Sequence, residues 1–206
     1  MFTGIIEALG TVKEIIINGS DKSFWIESPI SQELKIDQSI NHNGVCLTIE
    51  ELRGKLYKIT AVKETRSKTN LDTWEPGYLI NLERSLALTG RLDGHFVQGH
   101  IDTTTRCLTR KEKKGSREFT FELPKKFACL VIEKGSIAIN GISFTVFDIR
   151  KKRFKIAVIP FTFEHTTFKY LHPGDSVNLE FDVIGKYINR YLSLEDKLKI
   201  RSAKKK

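Results

Sequence analysis

The sequence has no apolar run long enough to span a membrane. The longest, Phe127 to Ile132, is six residues, against the roughly 20 that a spanning helix needs. Proline is scarce at five residues and glycine modest at 14 of 206, which excludes collagen-like and low-complexity disordered chains. Three cysteines, Cys46, Cys107 and Cys129, form no CxxC pair. Their odd number argues against a disulfide framework, and free thiols are expected. The first cation is Lys13, and Glu7 interrupts the opening apolar stretch, so the basic-then-apolar order of a signal peptide is missing and a cytoplasmic protein is expected. No GxGxxG, GxxxxGK[ST] or GxSxG occurs, which removes the usual support for nicotinamide, P-loop and common hydrolase chemistry.

What is present is a globular composition, 40% hydrophobic and 29% charged, in a chain long enough for one large or two small domains. The net charge of +9 suggests a nucleic-acid partner at first sight. Six of the 34 basic residues, however, crowd the last ten positions: Lys197, Lys199, Arg201, Lys204, Lys205 and Lys206. The remaining 28 nearly balance 25 acidic residues, too weak a footprint for a nucleic-acid face, and the basic end reads as a solubilising tail.

The chain contains an internal repeat. Residues 39–83 align with 136–180 at a constant offset of 97, without a gap and with 16 of 45 positions identical. Asn43/Asn140, Gly44/Gly141, Thr48/Thr145, Thr65/Thr162, Thr69/Thr166, Pro76/Pro173, Gly77/Gly174 and two NLE triplets are among them. Upstream, Gly4-Ile5-Ile6-Glu7 parallels Gly99-His100-Ile101-Asp102. Two homologous domains are therefore expected at 1–95 and 96–184. Within each, an Asn-Gly turn opens an alternating run, CLTIEEL or SFTVFDI, followed by a basic break and a second apolar strand, Leu56 to Val62 or Phe154 to Ile159. Pro-Gly then turns the chain into YLINLE or SVNLEF, and KEKKGSRE (111–118) reads as a further hairpin tip. Many short strands in about 90 residues predict an all-β chain of two small closed barrels. After the repeat, Ile184, Tyr187, Ile188, Tyr191, Leu192 and Leu198 fall at helical spacing, predicting an amphipathic helix over 184–198. Docking on its own barrel and oligomer packing are both open uses for that stripe.

Strand residues two apart share a face, so Cys46 lies beside Thr48 and Ser143 beside Thr145. A small polar pair thus recurs after each Asn-Gly turn, which makes a pocket in each barrel credible. The HxxxxH pair His95 and His100 has the wrong spacing for a metal on a strand or helix, and no metal site is expected. His100 stands where the first repeat has Ile5, so one pocket gains an ionisable group that the other lacks. Lys63-Glu64 is likewise matched by Pro160-Phe161, and Ser85 by Asp182, which can equally cap the final helix. Two related sites with unequal chemistry suit a protein that binds two similar molecules and treats them differently.

The opening MFTGIIE, the NGVCLT and NGISFT pair, GHFVQGHID, and the KET and two-Thr segments together resemble alpha-type riboflavin synthases from Met1 to about Asp182. The resemblance implies two six-stranded Greek-key barrels followed by a C-terminal helix that holds a homotrimer together, residues 185–206 comprising that oligomerisation helix and the basic tail. It implies dismutation of two 6,7-dimethyl-8-ribityllumazine molecules by four-carbon transfer, giving riboflavin and a pyrimidinedione without a cofactor. Carried over by motif, the first pocket would use Gly4, Ile5, Ile6, Cys46, Leu47, Thr48, Thr60, Ala61, Val62, Lys63, Glu64 and Thr65. The second would use Gly99, His100, Ile101, Ser143, Phe144, Thr145, Ala157, Val158, Ile159, Pro160, Phe161 and Thr162. The active site would lie between the first barrel of one subunit and the second of a neighbour, with Lys134 reaching the facing ligand. Ser143, Thr145 and His100 are expected around the ionising lumazine, Cys46 and Thr48 around its partner, and Asp182 at a proton transfer or a ribityl hydroxyl. Phe161 is bulky where the family often has a polar residue. Two rivals stand beside this reading: a non-catalytic lumazine- or flavin-binding relative, and a nucleic-acid-binding barrel, which would need strand-borne aromatics and a basic groove.

Overall fold

The structure, a computed structural model, describes residues 1–203, with side chains through residue 195. The basic end of the chain, from Lys197 on, lies outside the described side chains.

Six strands form the first barrel: β1 (Ala8–Asn18), β2 (Asp21–Glu27), β3 (Ser39–His42), β4 (Val45–Arg53), β5 (Leu56–Ala61) and β6 (Leu79–Arg84). Their order around the closed barrel is β1-β2-β5-β4-β3-β6, with every pairing antiparallel. The second barrel repeats this with β7 (Thr103–Lys113), β8 (Ser116–Glu122), β9 (Ser136–Ile139), β10 (Ile142–Arg150), β11 (Arg153–Val158) and β12 (Ser176–Phe181). The turns are those the sequence predicts. Asn43-Gly44 joins β3 to β4 with φ of 47° and 88°, and Asn140-Gly141 joins β9 to β10 with 46° and 78°, the backbone that a two-residue hairpin needs and that Asn-Gly tolerates. Register shifts break β1 near Lys13 and β7 near Leu108, and β4 and β10 near Glu50 and Asp148. Such bulges bend a strand sharply enough to close a small barrel. Short helices, α1 (Lys63–Lys68) and α2 (Pro160–His165), follow β5 and β11 and carry no apolar periodicity long enough to announce them.

Alternation along the strands fills each barrel, as in β5, where Tyr57, Ile59 and Ala61 face the core and their neighbours face out. The two cores differ in kind. The second is packed with Phe119, Phe121, Phe154, Phe168 and Phe181, whereas the first buries Trp74, Tyr57 and a histidine, His42. His42 Nε2 lies 3.0 Å from the Tyr57 hydroxyl, and its Nδ1 lies 3.0 Å from the Ile40 carbonyl. Burial holds its pKa at about 3. At the equivalent positions the second barrel has Ile139 and Phe154.

Several residues shared by the repeats join the barrels about a pseudo-two-fold. The Asn81 amide donates to the Asn140 carbonyl (2.9 Å), and the Asn178 amide to the Asn43 carbonyl (2.8 Å). A Cβ on Gly141 would lie 2.7 Å from the Gly44 nitrogen, so the backbones approach too closely for any side chain. The final helix, α3 (Val183–Ala203), begins where Asp182 Oδ1 accepts from the Ile184 amide (2.9 Å), the capping role the sequence allows. Its apolar stripe is not docked on its own chain: Ile184, Tyr187, Ile188, Tyr191 and Leu192 are all exposed, Tyr187 by 74%. Among the described residues no helix is long and apolar enough to cross a membrane.

Candidate functional site

Each repeat carries a cavity on the outer side of its barrel, built on the strand after the Asn-Gly turn. On β4, Val45, Leu47 and Ile49 point inward and are buried, which leaves half-buried Cys46 and exposed Thr48 on the outer face. On β10, Ser143 and Thr145 hold the same places, with Phe144 inward. Leu47, Phe144, Ala61 and Val158 therefore contribute side chains to the cores.

The first cavity, about 350 Å³, is lined by Val45, Cys46, Glu64, Thr65, Lys68, Thr69, Gly99, His100 and Ile101. The second, about 320 Å³, is lined by Lys134, Ser143, Phe144, Thr145, Phe147, Ala157, Ile159 and Thr162. The leading segments of the two repeats are exchanged, which corrects the sequence expectation. The Cys46 amide donates to the Gly99 carbonyl (2.9 Å), and the Ser143 amide to the Gly4 carbonyl (2.8 Å). Ile101 packs on the first core and Ile6 on the second. Gly99, His100 and Ile101 thus belong to the pocket of Cys46, and Gly4 and Ile6 lie with the barrel of Ser143. Both glycines have φ of 80°, and a Cβ on either would come within 3 Å of the facing strand's nitrogen. Parallel positions in sequence cannot reveal this, because the exchange leaves the offset between the repeats intact.

The remaining expected residues sort by local structure. Thr60 is held by Glu50 and Ser23 (2.8 Å each), outside the first cavity's wall. Val62 and Ile159 precede α1 and α2 as exposed caps. Ile5 and Lys63 are exposed, and Pro160 opens the first turn of α2. Phe161 is 70% exposed and stacks on His165 with ring centroids 4.2 Å apart. Lys134 has φ of 63° and lines the second cavity of its own chain.

His95 is a site residue that the sequence did not single out as one. It is buried, and its Nδ1 lies 2.7 Å from the Ser143 hydroxyl. Burial lowers its pKa, opposed by the nearby Asp182 charge. Cys46 faces the converse situation, with burial pushing the thiol up. The arrangement offers hydroxyl, thiol and imidazole groups suited to hydrogen bonding and proton transfer. Among the described residues no three His, Cys, Asp or Glu side chains are grouped to hold a metal.

Comparison with known proteins agrees with this duplicated architecture. The lumazine binding domain family matches twice, at residues 3–85 and 98–182. The riboflavin synthase of Bacillus amyloliquefaciens is 35% identical over 201 residues, covering 97% of this chain and 93% of that protein. The riboflavin synthase of Mycobacterium tuberculosis H37Rv is 37% identical over 199 residues, covering 93% and 98%. The crystal structure of LumP complexed with 6,7-dimethyl-8-(1'-D-ribityl) lumazine shares the fold, with a TM-score of 0.80 at 22% identity over 87% of this chain and 98% of that one. With both repeats matched and similarity running nearly end to end, the chain belongs to the lumazine-binding family in the two-domain form of the riboflavin synthases.

Proposed function

We propose that this protein is a riboflavin synthase, a transferase that moves a four-carbon unit between two molecules of 6,7-dimethyl-8-ribityllumazine. The products are riboflavin and 5-amino-6-(ribitylamino)pyrimidinedione. The observation that carries the reading is a pair of equivalent outward cavities in one chain, one lined by Cys46 and His100 and the other by Ser143, whose hydroxyl is hydrogen-bonded to the buried His95 behind it. The duplicated walls suit two copies of one substrate. The unequal polar groups let one copy donate carbons and the other accept them.

The electron-poor lumazine ring acidifies its C7 methyl, so a neutral imidazole or a water held by hydroxyls suffices to take the proton. Much of the remaining acceleration comes from stacking two rings in a reactive orientation. The reading pairs each outward-facing pocket with its counterpart on another copy of the chain. The reading therefore includes a homotrimer, assembled through the exposed face of α3, with each active site shared by the first barrel of one subunit and the second of the next. Cys46, Thr48 and His100 act on one ring, and Ser143, Thr145 and Lys134 on the other, while Asp182 supports His95. No cofactor enters the scheme.

Incubation of the purified protein with the ribityllumazine alone tests this by riboflavin absorbance. Two lumazines consumed per riboflavin formed is the expected ratio. Tight lumazine binding without turnover would instead assign the chain as a non-catalytic binder.

A further inference from the structure

The two NLE triplets end in Glu83 on β6 and Glu180 on β12, 97 residues apart. Both are almost fully buried, 3% and 1% exposed, and both are filled with donors from a leading segment. Glu180 Oε1 accepts from the Gln98 amide (2.7 Å), and its Oε2 accepts from the amides of Gly99 (2.9 Å) and His100 (3.0 Å). Glu83 Oε1 accepts from the amide and hydroxyl of Thr3 (2.6 and 2.7 Å), and its Oε2 from the Gly4 amide (3.0 Å). Lys186, the cation whose charge Glu180 feels, is ion-paired with Asp102 (2.6 Å).

The same peptide units then reach the opposite barrel. Gly99, held by the second barrel's Glu180, receives the Cys46 amide of the first, and Gly4, held by the first barrel's Glu83, receives the Ser143 amide of the second. We infer that Glu180 is a positioning residue for the first barrel's pocket and Glu83 for the second's, so that each pocket is kept in shape by a carboxylate of the other barrel.

Three observations carry this. An anion is the side-chain group that can accept several converging N–H bonds at once, and both carboxylates do so. Burial pushes Glu180 up to about 7 and Glu83 above its ordinary range, so both sit at a price in stability that an apolar side chain would avoid. The segments they hold also lie against the two pocket strands at the residues Cys46 and Ser143. The inference deepens the lumazine reading and rests on it for the role of the pockets.

Amide hydrogen exchange resolved by NMR, on the full chain, tests the coupling without needing turnover. In Glu180→Gln, the amides of Gln98, Gly99, His100 and Cys46 exchange at least tenfold faster, while Ser143 and the core amides of Ile59 and Ile156 keep their rates. Glu83→Gln gives the mirror pattern, loosening Thr3, Gly4 and Ser143 and sparing Cys46. The reciprocal variants also guard against one of them failing to fold. With the ribityllumazine, each variant loses at least tenfold in kcat/KM. Unchanged protection at Cys46 in Glu180→Gln, uniform acceleration including the core amides, or coupled exchange with unaltered kcat/KM overturns the inference. Absence of turnover in the unmodified protein defeats the lumazine reading instead, and leaves the exchange pattern to decide the brace.

Discussion

The imidazole of His95 meets the hydroxyl of Ser143 at 2.7 Å, whereas the equivalent position of the first barrel offers the Cys46 thiol. His95 lies in the stretch between the two matched repeats, four residues ahead of Gly99. With its pKa lowered by burial, the ring is neutral at pH 7 and able to accept or relay a proton.

Ser143→Ala and His95→Gln should therefore each reduce lumazine turnover roughly a hundredfold, the usual loss when a proton partner is removed, with a smaller change in affinity. Steady-state kinetics beside fluorescence titration separates the two effects. Equal losses in both quantities would assign the pair to binding alone.

Cys46 should behave as a hydrogen-bonding group and not as a thiolate, because burial raises its pKa. Serine already fills the matching position in the second repeat, so Cys46→Ser should retain activity within about tenfold of the parent. At pH 7, mass spectrometry after iodoacetamide treatment should show Cys46 alkylated more slowly than the exposed Cys129. Complete loss of activity in Cys46→Ser would call for a thiolate role.

The buried His42 predicts a specific acid sensitivity. Its folded pKa is about 3 against the ordinary histidine value of 6.5, so between these limits the unfolded chain takes up a proton that the folded one refuses. Its contribution to stability is complete above 6.5 and falls by about 1.4 kcal/mol per pH unit on acidification. Glu180 acts in the opposite sense, since its folded pKa is raised from 4.5 to about 7: its contribution rises as pH falls through that window. The second barrel supplies the control, because Ile139 and Phe154 occupy the positions of His42 and Tyr57. Urea unfolding of His42→Ile/Tyr57→Phe at pH 7.5 and 5.0 should show a drop smaller than the parent's by about 2 kcal/mol. An identical pH dependence would count against a neutral buried His42.

The strands, hairpins and duplicated barrels were legible because their signals are local: Asn-Gly and Pro-Gly turns, period-two alternation, and a gapless repeat. The outward pairs Cys46/Thr48 and Ser143/Thr145 followed from the same alternation, and the Asp182 cap from its place before an amphipathic run. The exchange of Gly4 and Gly99 between barrels was not legible, because a short segment outside the regular strands carries no mark of which sheet it will meet. Glu83 and Glu180 stood out only as members of a repeated triplet. Their function lies in bonds to residues some 80 positions away, and periodicity reports nothing at that range. For His95 the sequence offered only its place four residues ahead of Gly99, since His42, His100, His165 and His172 also lack a histidine at the matching position of the other repeat.

The exposed stripe of α3 predicts assembly. Ile184, Tyr187, Ile188, Tyr191 and Leu192 present a contiguous apolar face that no part of the chain covers among the described residues, and such faces mark contact sites. Deleting residues after Gly185 should shift the light-scattering mass from trimer towards monomer and abolish most turnover, whereas removing only Lys204 to Lys206 should change neither. A truncated chain that remains trimeric and active would remove the helix from the interface.

If each active site joins the first pocket of one subunit to the second pocket of the next, two inactive variants should rescue each other. Cys46→Phe fills the first cavity and Ser143→Phe the second, so neither homotrimer retains a site with both pockets open. In a cyclic trimer every interface is the same head-to-tail contact. Unfolding the two variants together and refolding them as an equal mixture places an intact first pocket beside an intact second pocket at about a quarter of the interfaces, by random assortment around the ring. Turnover should recover to about that fraction of the parent. Sites contained within single subunits would give no recovery at any mixing ratio, and recovery well above a quarter would mean that the subunits sort non-randomly or that one open pocket suffices for turnover.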